Sequence, residues 1–220
     1  MFYRLIGSGL PFVEILALVL AYMFALMISF CLHEFSHAFV AYKCGDPTAK
    51  ALGRMSLNPI KHIDPMGFVC LILFGFGWAK PVEVNPMRFK HYKRSMILVS
   101  LAGIIANIIM AFVFSGVYYF VADYLIDSTN LFIIFLDYFL YYSVIINLSL
   151  FVFNLLPIYP LDGYNFVKTI TKPNNAFVNF MQRYGIIIML IILVLPIFDY
   201  IYSYITGGIL NLFFKFWRLF

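Results

Sequence analysis

The chain has 220 residues, 64% of them hydrophobic and 11% charged, with a mean hydropathy of +0.93. A water-soluble domain cannot hide that much apolar surface, so the composition excludes an ordinary soluble protein and indicates a membrane protein. The formal charge of +5 does not indicate nucleic acid, because 9 of the 15 basic residues fall between Lys43 and Arg94 with apolar stretches on both sides. Membrane topology explains that clustering better than a polyanionic partner does.

Arg4 precedes an apolar stretch that superficially resembles a secretory signal, but no small-residue cleavage site follows and the stretch runs directly into His33. It reads as a retained span. Residues 15–32 form an uncharged run of 18, and apolar character resumes as far as Tyr42, with Pro11 and Glu14 near the start. This predicts one long helix over about 14–42. Residues 43–65 are polar and turn-rich, and residues 66–79 are apolar but only 14 long, with Gly67, Gly75 and Gly77. Such a piece is too short to span comfortably and reads as a re-entrant or β-hairpin element with Trp78 as an interfacial anchor.

Residues 96–122 carry no charge over 27 positions and predict a second span over 95–122. An uncharged run of 24 at 138–161 predicts a third over 131–160, and a last span is expected over 184–206, interrupted by Pro196 and Asp199. The aromatic-rich residues 207–220, with Lys215 and Arg218, read as an interfacial tail. Cys31, Cys44 and Cys70 are odd in number and sit in or beside apolar stretches, as small apolar filler rather than a disulfide framework. Segment 43–94 holds nine basic residues and 162–183 holds three, whereas 123–137 holds none and contains Asp123, Asp127 and Asp137. The first two segments are therefore expected on the cytoplasmic side, with the N-terminus outside.

The chemistry concentrates in His33-Glu34-Phe35-Ser36-His37. Residues four apart share a helix face, so both imidazoles can reach one metal while Glu34 stands beside it, the zincin arrangement. At ~1.5 Å per residue, His37 lies about 9 Å and His33 about 15 Å along the helix from Lys43, inside the bilayer. Ionisable groups at that depth cost several kcal/mol without partners, and a metal meets that cost. A catalytic zinc needs a further protein ligand. Asp162 is a candidate because Pro157 and Pro160 break the preceding run and can lower a carboxylate into a cavity, although Asp162-Gly163 also fits an ordinary boundary turn. His62 and His91 lie in basic segments and are expected to be solvated.

The pair His33-Glu34-x-x-His37 and Asn154-x-x-Pro157, then Leu161-Asp162-Gly163, resembles the site-2 protease family of intramembrane zinc metalloproteases. Gly53-Arg54-Met55-Ser56-Leu57-Asn58-Pro59, His62-Ile63-Asp64-Pro65-x-Gly67, Gly77-Trp78-Ala79-Lys80-Pro81-Val82 and Ala102-Gly103-x-x-Ala106-Asn107 resemble its compact bacterial and archaeal members, which have no PDZ domain. Ile104 stands where the family often has Pro. The resemblance implies His33, His37 and Asp162 as ligands of one Zn²⁺ per chain and Glu34 as general base. It implies that Asn107, Asn154 or both orient the site or stabilise an oxyanion.

The expected fold is an all-α polytopic membrane protein, a single domain over 1–220 with a three-helix catalytic core plus additional spans. The resemblance further implies transmembrane or signal-peptide-remnant substrates in a prokaryotic inner membrane, with a site that opens to the cytoplasm. A catalytically silent metal-binding scaffold or transporter is the rival, and the intact Glu34 argues against it. A metalloprotease whose third ligand is a later glutamate is disfavoured because every acidic residue from Asp123 onward is Asp. A cysteine replacing Lys61, in a background without the native cysteines, should be labelled by impermeant maleimide only from the cytoplasmic side; labelling from outside would invert the topology.

Overall fold

The computed structural model describes residues 10–74, 77–125 and 130–220. The chain order is α1 (Phe12–Lys43), α2 (Thr48–Ala51), a 3₁₀ turn Pro59–His62, α3 (Pro65–Phe74) and a 3₁₀ turn Pro86–Arg88. Then follow α4 (Tyr92–Leu125), α5 (Leu131–Leu155), α6 (Asp162–Ile170), α7 (Ala176–Val194) and α8 (Pro196–Trp217). Four helices, Phe12–Lys43, Tyr92–Ala122, Leu131–Leu155 and Ala176–Leu193, are long and apolar enough to cross a membrane. The protein is an all-α, multi-pass membrane protein, as the sequence predicts.

Helix α1 starts after Pro11, carries Glu14 in its first turn and ends with Lys43 in its last, charges that suit the helix dipole at both ends. Helices α1, α4 and α5 each pack on the other two. The seam is periodic. Ala17, Ala21, Ala25, Ser29, His33, His37 and Ala41 recur at every fourth position of α1, and all are buried. On α4 the same spacing gives Ser95, Val99, Gly103, Asn107, Ala111 and Ser115, again all buried. Side chains four apart form one ridge, and small residues on it let backbones approach where lipid offers no hydrophobic drive between helices. Polar residues therefore sit at the helix contacts rather than in lipid.

The segment between α1 and α4 differs from one alternative the sequence allows. Pro65–Phe74 is helical, no strand forms among the described residues, and pairing is confined to an antiparallel bridge between Ile63 and Ala79. Gly75, in the glycine-rich piece, lies outside the described residues, as do Arg4 and Asp127. His62 also departs from expectation. It is 2% exposed rather than solvated, because its 3₁₀ turn, capped by the Asn58 side chain, folds back on α1 and Nε2–H donates to the Ser56 carbonyl at 2.8 Å. His91 is exposed, as expected.

The apolar stretch expected over 184–206 divides at Leu195 into α7 and α8. The presumed tail is mostly helical and packed: Trp217 stacks on Phe112, and its Nε1–H donates to Ser115 at 3.0 Å.

Asp46 ties this segment together at the end of α1. It is fully buried, one oxygen accepts the Thr48 N–H at 3.0 Å and the Thr48 hydroxyl, and the other accepts the Asn85 N–H at 2.6 Å. Burial pushes its carboxyl up, but these donors and Arg88 outweigh burial and hold it below the usual carboxylate range. A group depressed on folding stabilises above its unfolded pKa, ~4, and loses that contribution as pH falls through its folded value. Asp46→Asn should cost about 1–3 kcal/mol in detergent unfolding at pH 7. The gap to wild type should narrow below about pH 4; a gap independent of pH would show that the charge is immaterial.

Candidate metal centre

Helical spacing places His33 and His37 on one face of α1, and the opposite wall comes from the break after α5. Pro157 and Pro160 lack backbone donors and cannot continue α5. Leu161 is extended, with φ −69° and ψ 162°, and Asp162 opens α6, where an acidic residue suits the helix N-terminus. A Cβ on Gly163 would lie 2.4 Å from the Leu155 carbonyl oxygen and 2.5 Å from that of Leu156. Glycine thus lets α6 press against the end of α5, which sets the position of Asp162.

Asp162 Oδ2 lies 3.3 Å from His33 Nε2 and 3.1 Å from His37 Nε2, and the two Nε2 atoms are 3.1 Å apart. Both histidines are buried. His37 Nδ1 sits 2.8 Å from the Val99 carbonyl, which can only accept, so Nδ1 carries the proton and Nε2 of the neutral ring presents a lone pair. His33 Nδ1 is 2.6 Å from Asn107 Oδ1, which fixes the same tautomer. Three lone-pair donors therefore face one point. Tetrahedral zinc with ligands at about 2.0–2.1 Å requires ligand atoms about 3.3–3.4 Å apart, close to the observed separations. The donor set, two imidazoles and a carboxylate, suits the same ion, and Asp162 Oδ2 has no hydrogen-bond partner.

A cavity of about 390 Å³ adjoins these atoms, lined by residues including Glu34, Pro81, Val82, Ser100, Asn154 and Asn165. Glu34 Oε2 accepts the Val82 N–H at 2.8 Å. Val82 belongs to a strap without regular structure over 80–85. Arg54 ties that strap to the Pro59–His62 turn, donating to the Lys80 carbonyl at 3.0 Å and the Pro81 carbonyl at 3.3 Å in the strap and to the Lys61 carbonyl in the turn.

The structure thus brings together His33, Glu34, His37, Asn154 and Asp162 at one cavity. Asn154 donates an amide hydrogen to the Leu150 carbonyl at 3.0 Å and lines the cavity. Asn107 is placed differently. It is 1% exposed, lies behind His33, and has its Oδ1 engaged there while its Nδ2–H donates to Asn147 at 2.9 Å. Sequence reasoning did not single out Asn147, and it quoted Gly103 and Val82 only as parts of motifs, with no role for the Gly103 backbone or the Val82 N–H. The fourfold stripe on α4 was the available signal for Gly103, whereas a backbone N–H leaves no trace in residue type.

The sequence profile of peptidase family M50 matches residues 21–194. This chain belongs to that family. It is 42% identical over 177 residues to “Putative zinc metalloprotease YwhC” of Bacillus subtilis, covering 80% of this chain and 81% of that protein. It is 31% identical to “Putative zinc metalloprotease Rip2” of Mycolicibacterium smegmatis, covering 85% of this chain and 70% of that one. No solved structure matches. The protein is accordingly a zinc metalloprotease.

Gly103 faces the His33 and His37 rings from α4. A Cβ there would lie 2.4 Å from His33 Cε1 and 2.5 Å from His37 Nε2, so both rings would have to move. Gly103→Ala should keep its helical circular dichroism yet bind zinc roughly 10–100-fold more weakly, the scale of losses when groups around metal ligands are disturbed. Unchanged affinity in a chelator competition would contradict this packing.

Proposed function

We propose that this protein hydrolyses peptide bonds of transmembrane or membrane-tethered proteins, signal-peptide remnants included, within the bilayer. His33, His37 and Asp162 hold one Zn²⁺ per chain and Glu34 is the general base. The observation that carries the reading is the convergence of three lone-pair donors, 3.1–3.3 Å apart, on a cavity that also holds Glu34.

Zinc, when bound, supplies a Lewis acid that lowers the pKa of water to ~7. Glu34 receives the proton of the attacking water and delivers it to the leaving amine. The Val82 N–H, 2.8 Å from Oε2, holds that carboxylate in place and leaves Oε1 as the proton acceptor. Asn154, which lines the cavity, stabilises the oxyanion, a role in which one preorganised donor contributes about 3–4 kcal/mol. Asn107 orients His33 instead.

Residues of the strap and of the first turns of α4 line the cavity, and Lys80, Arg88, Lys90, Lys93 and Arg94 adjoin them in sequence. Basic residues gather on the cytoplasmic side, so water enters from the cytoplasm of a prokaryotic inner membrane.

Glu34→Gln should retain about one zinc per chain by elemental analysis while cleavage of a membrane-peptide substrate falls by a factor of at least ~10². Asp162→Ala should lose zinc as well as activity. Full zinc retention in Asp162→Ala would remove that residue from the ligand set, and Glu34→Gln activity within tenfold of wild type would remove the base.

A further inference from the structure

A chain of buried hydrogen bonds runs from His33 through Asn107 on α4 to Asn147 on α5. Asn147 on α5 is fully buried, as is Ser29 on α1. Asn147 Nδ2 lies 2.7 Å from the Ser143 carbonyl and 2.8 Å from Ser29 Oγ. The Ser29 hydroxyl hydrogen goes to the Ala25 carbonyl at 2.7 Å, so Ser29 accepts from Asn147. The Ser143 contact keeps Asn147 from turning its amide over, since a backbone carbonyl cannot donate. Asn147 Oδ1 therefore faces Asn107 and accepts its Nδ2–H at 2.9 Å. Asn107 in turn presents Oδ1 to His33 Nδ1 at 2.6 Å, and that nitrogen must carry the proton. His33 Nε2 is left as a lone pair pointing at His37 Nε2 and Asp162 Oδ2.

We propose that Asn147 is a positioning residue that sets the tautomer of His33 through Asn107, and so keeps Nε2 competent to bind a metal. The direction of every bond in the chain follows from one acceptor, the Ser143 carbonyl. An Asn107 amide without Asn147 could present either end to His33, and the end carrying Nδ2–H would favour the tautomer with its proton on Nε2, which cannot ligate. His37 has an independent anchor in the Val99 carbonyl, so Asn147 governs one histidine and not the other. The inference rests on His33 being a ligand, but the tautomer is a property of the metal-free protein and is read without zinc.

The test uses the full chain in detergent with ¹⁵N-labelled histidine, of which there are four. In metal-free wild type, His33 and His37 should both show the Nδ1–H tautomer. Asn147→Leu, an apolar side chain of similar size, should give His33 a mixture of tautomers, leave His37 unchanged and weaken zinc about tenfold or more in chelator competition. Asn147→Ala carries the same expectation should the leucine variant fail to fold. Ser29→Ala should behave as wild type, because the Ser143 carbonyl still orients Asn147. Adding Asn107→Asp to Asn147→Leu should restore the His33 Nδ1–H tautomer, since a carboxylate can only accept.

A folded Asn147→Leu protein with His33 still wholly Nδ1–H would overturn the proposal, as would equal disturbance of His33 and His37 without rescue by Asn107→Asp. If the tautomer shifts as expected but His33→Ala retains all its zinc, the ligand assignment fails instead.

Discussion

Helix contacts in a membrane are limited by how closely backbones can approach, and the His33–His37–Asp162 cluster depends on two helices that meet along stripes repeating every fourth position. The stripe on α1 alternates no bulk: Ala17, Ala21, Ala25 and Ser29 lead to His33 and His37, and Ala41 follows. On α4, Gly103 meets the imidazole rings where even a methyl group would collide. Both histidines then lie near enough to α4 for Val99 and Asn107 to bond their Nδ1 atoms. Lipid is as apolar as leucine, so close packing and interhelical hydrogen bonds, rather than hydrophobic burial, hold such a cluster together.

The same packing imposes an accounting of polar groups. A buried donor or acceptor without a partner costs about 1–3 kcal/mol, and the core meets this with a directed chain from Ser29 through Asn147 and Asn107 to His33. The acceptors left at the end of that accounting are the two Nε2 lone pairs and the Asp162 carboxylate, which converge at 3.1–3.3 Å. Neutral imidazoles in these tautomers have no hydrogen to place between those atoms. A divalent cation would satisfy all three, which links the fold's internal hydrogen bonding to the proposed metal site.

The segment between α1 and α4 connects this buried site to the basic end of the helices. Asp46 fastens it at Asn85, Arg54 fastens it at Lys80 and Pro81, and the intervening Val82 N–H reaches Glu34. A displacement of either fastening would be felt at the Glu34 carboxylate, because the backbone between Lys80 and Asn85 is short and has little slack.

What the sequence determined by itself was local or compositional. Uncharged runs marked the long helices α1, α4 and α5, because hydrocarbon tolerates little else. The histidine pair with Glu34 was legible because a four-residue spacing on a helix fixes a shared face without help from the rest of the chain. The ordered motifs around Asp162 carried the family, to which the chain belongs.

Tertiary structure decided whatever depends on the register of one helix against another. The sequence marked Asn107 and Asn154 as equivalent polar breaks in apolar helices, yet Asn107 is sealed behind His33 and Asn154 lines the cavity. Asn147 was invisible as a partner, since its amide has meaning only beside Asn107 and Ser143. His62 reads as solvated from its basic neighbours, but a turn folded onto α1 buries it. The glycine-rich piece allowed a hairpin or a re-entrant loop, and Pro65–Phe74 is a helix. Periodicity records which face a residue occupies on its own helix; which atoms it meets across the interface is set by the close approach of three helices, and no single segment carries that information.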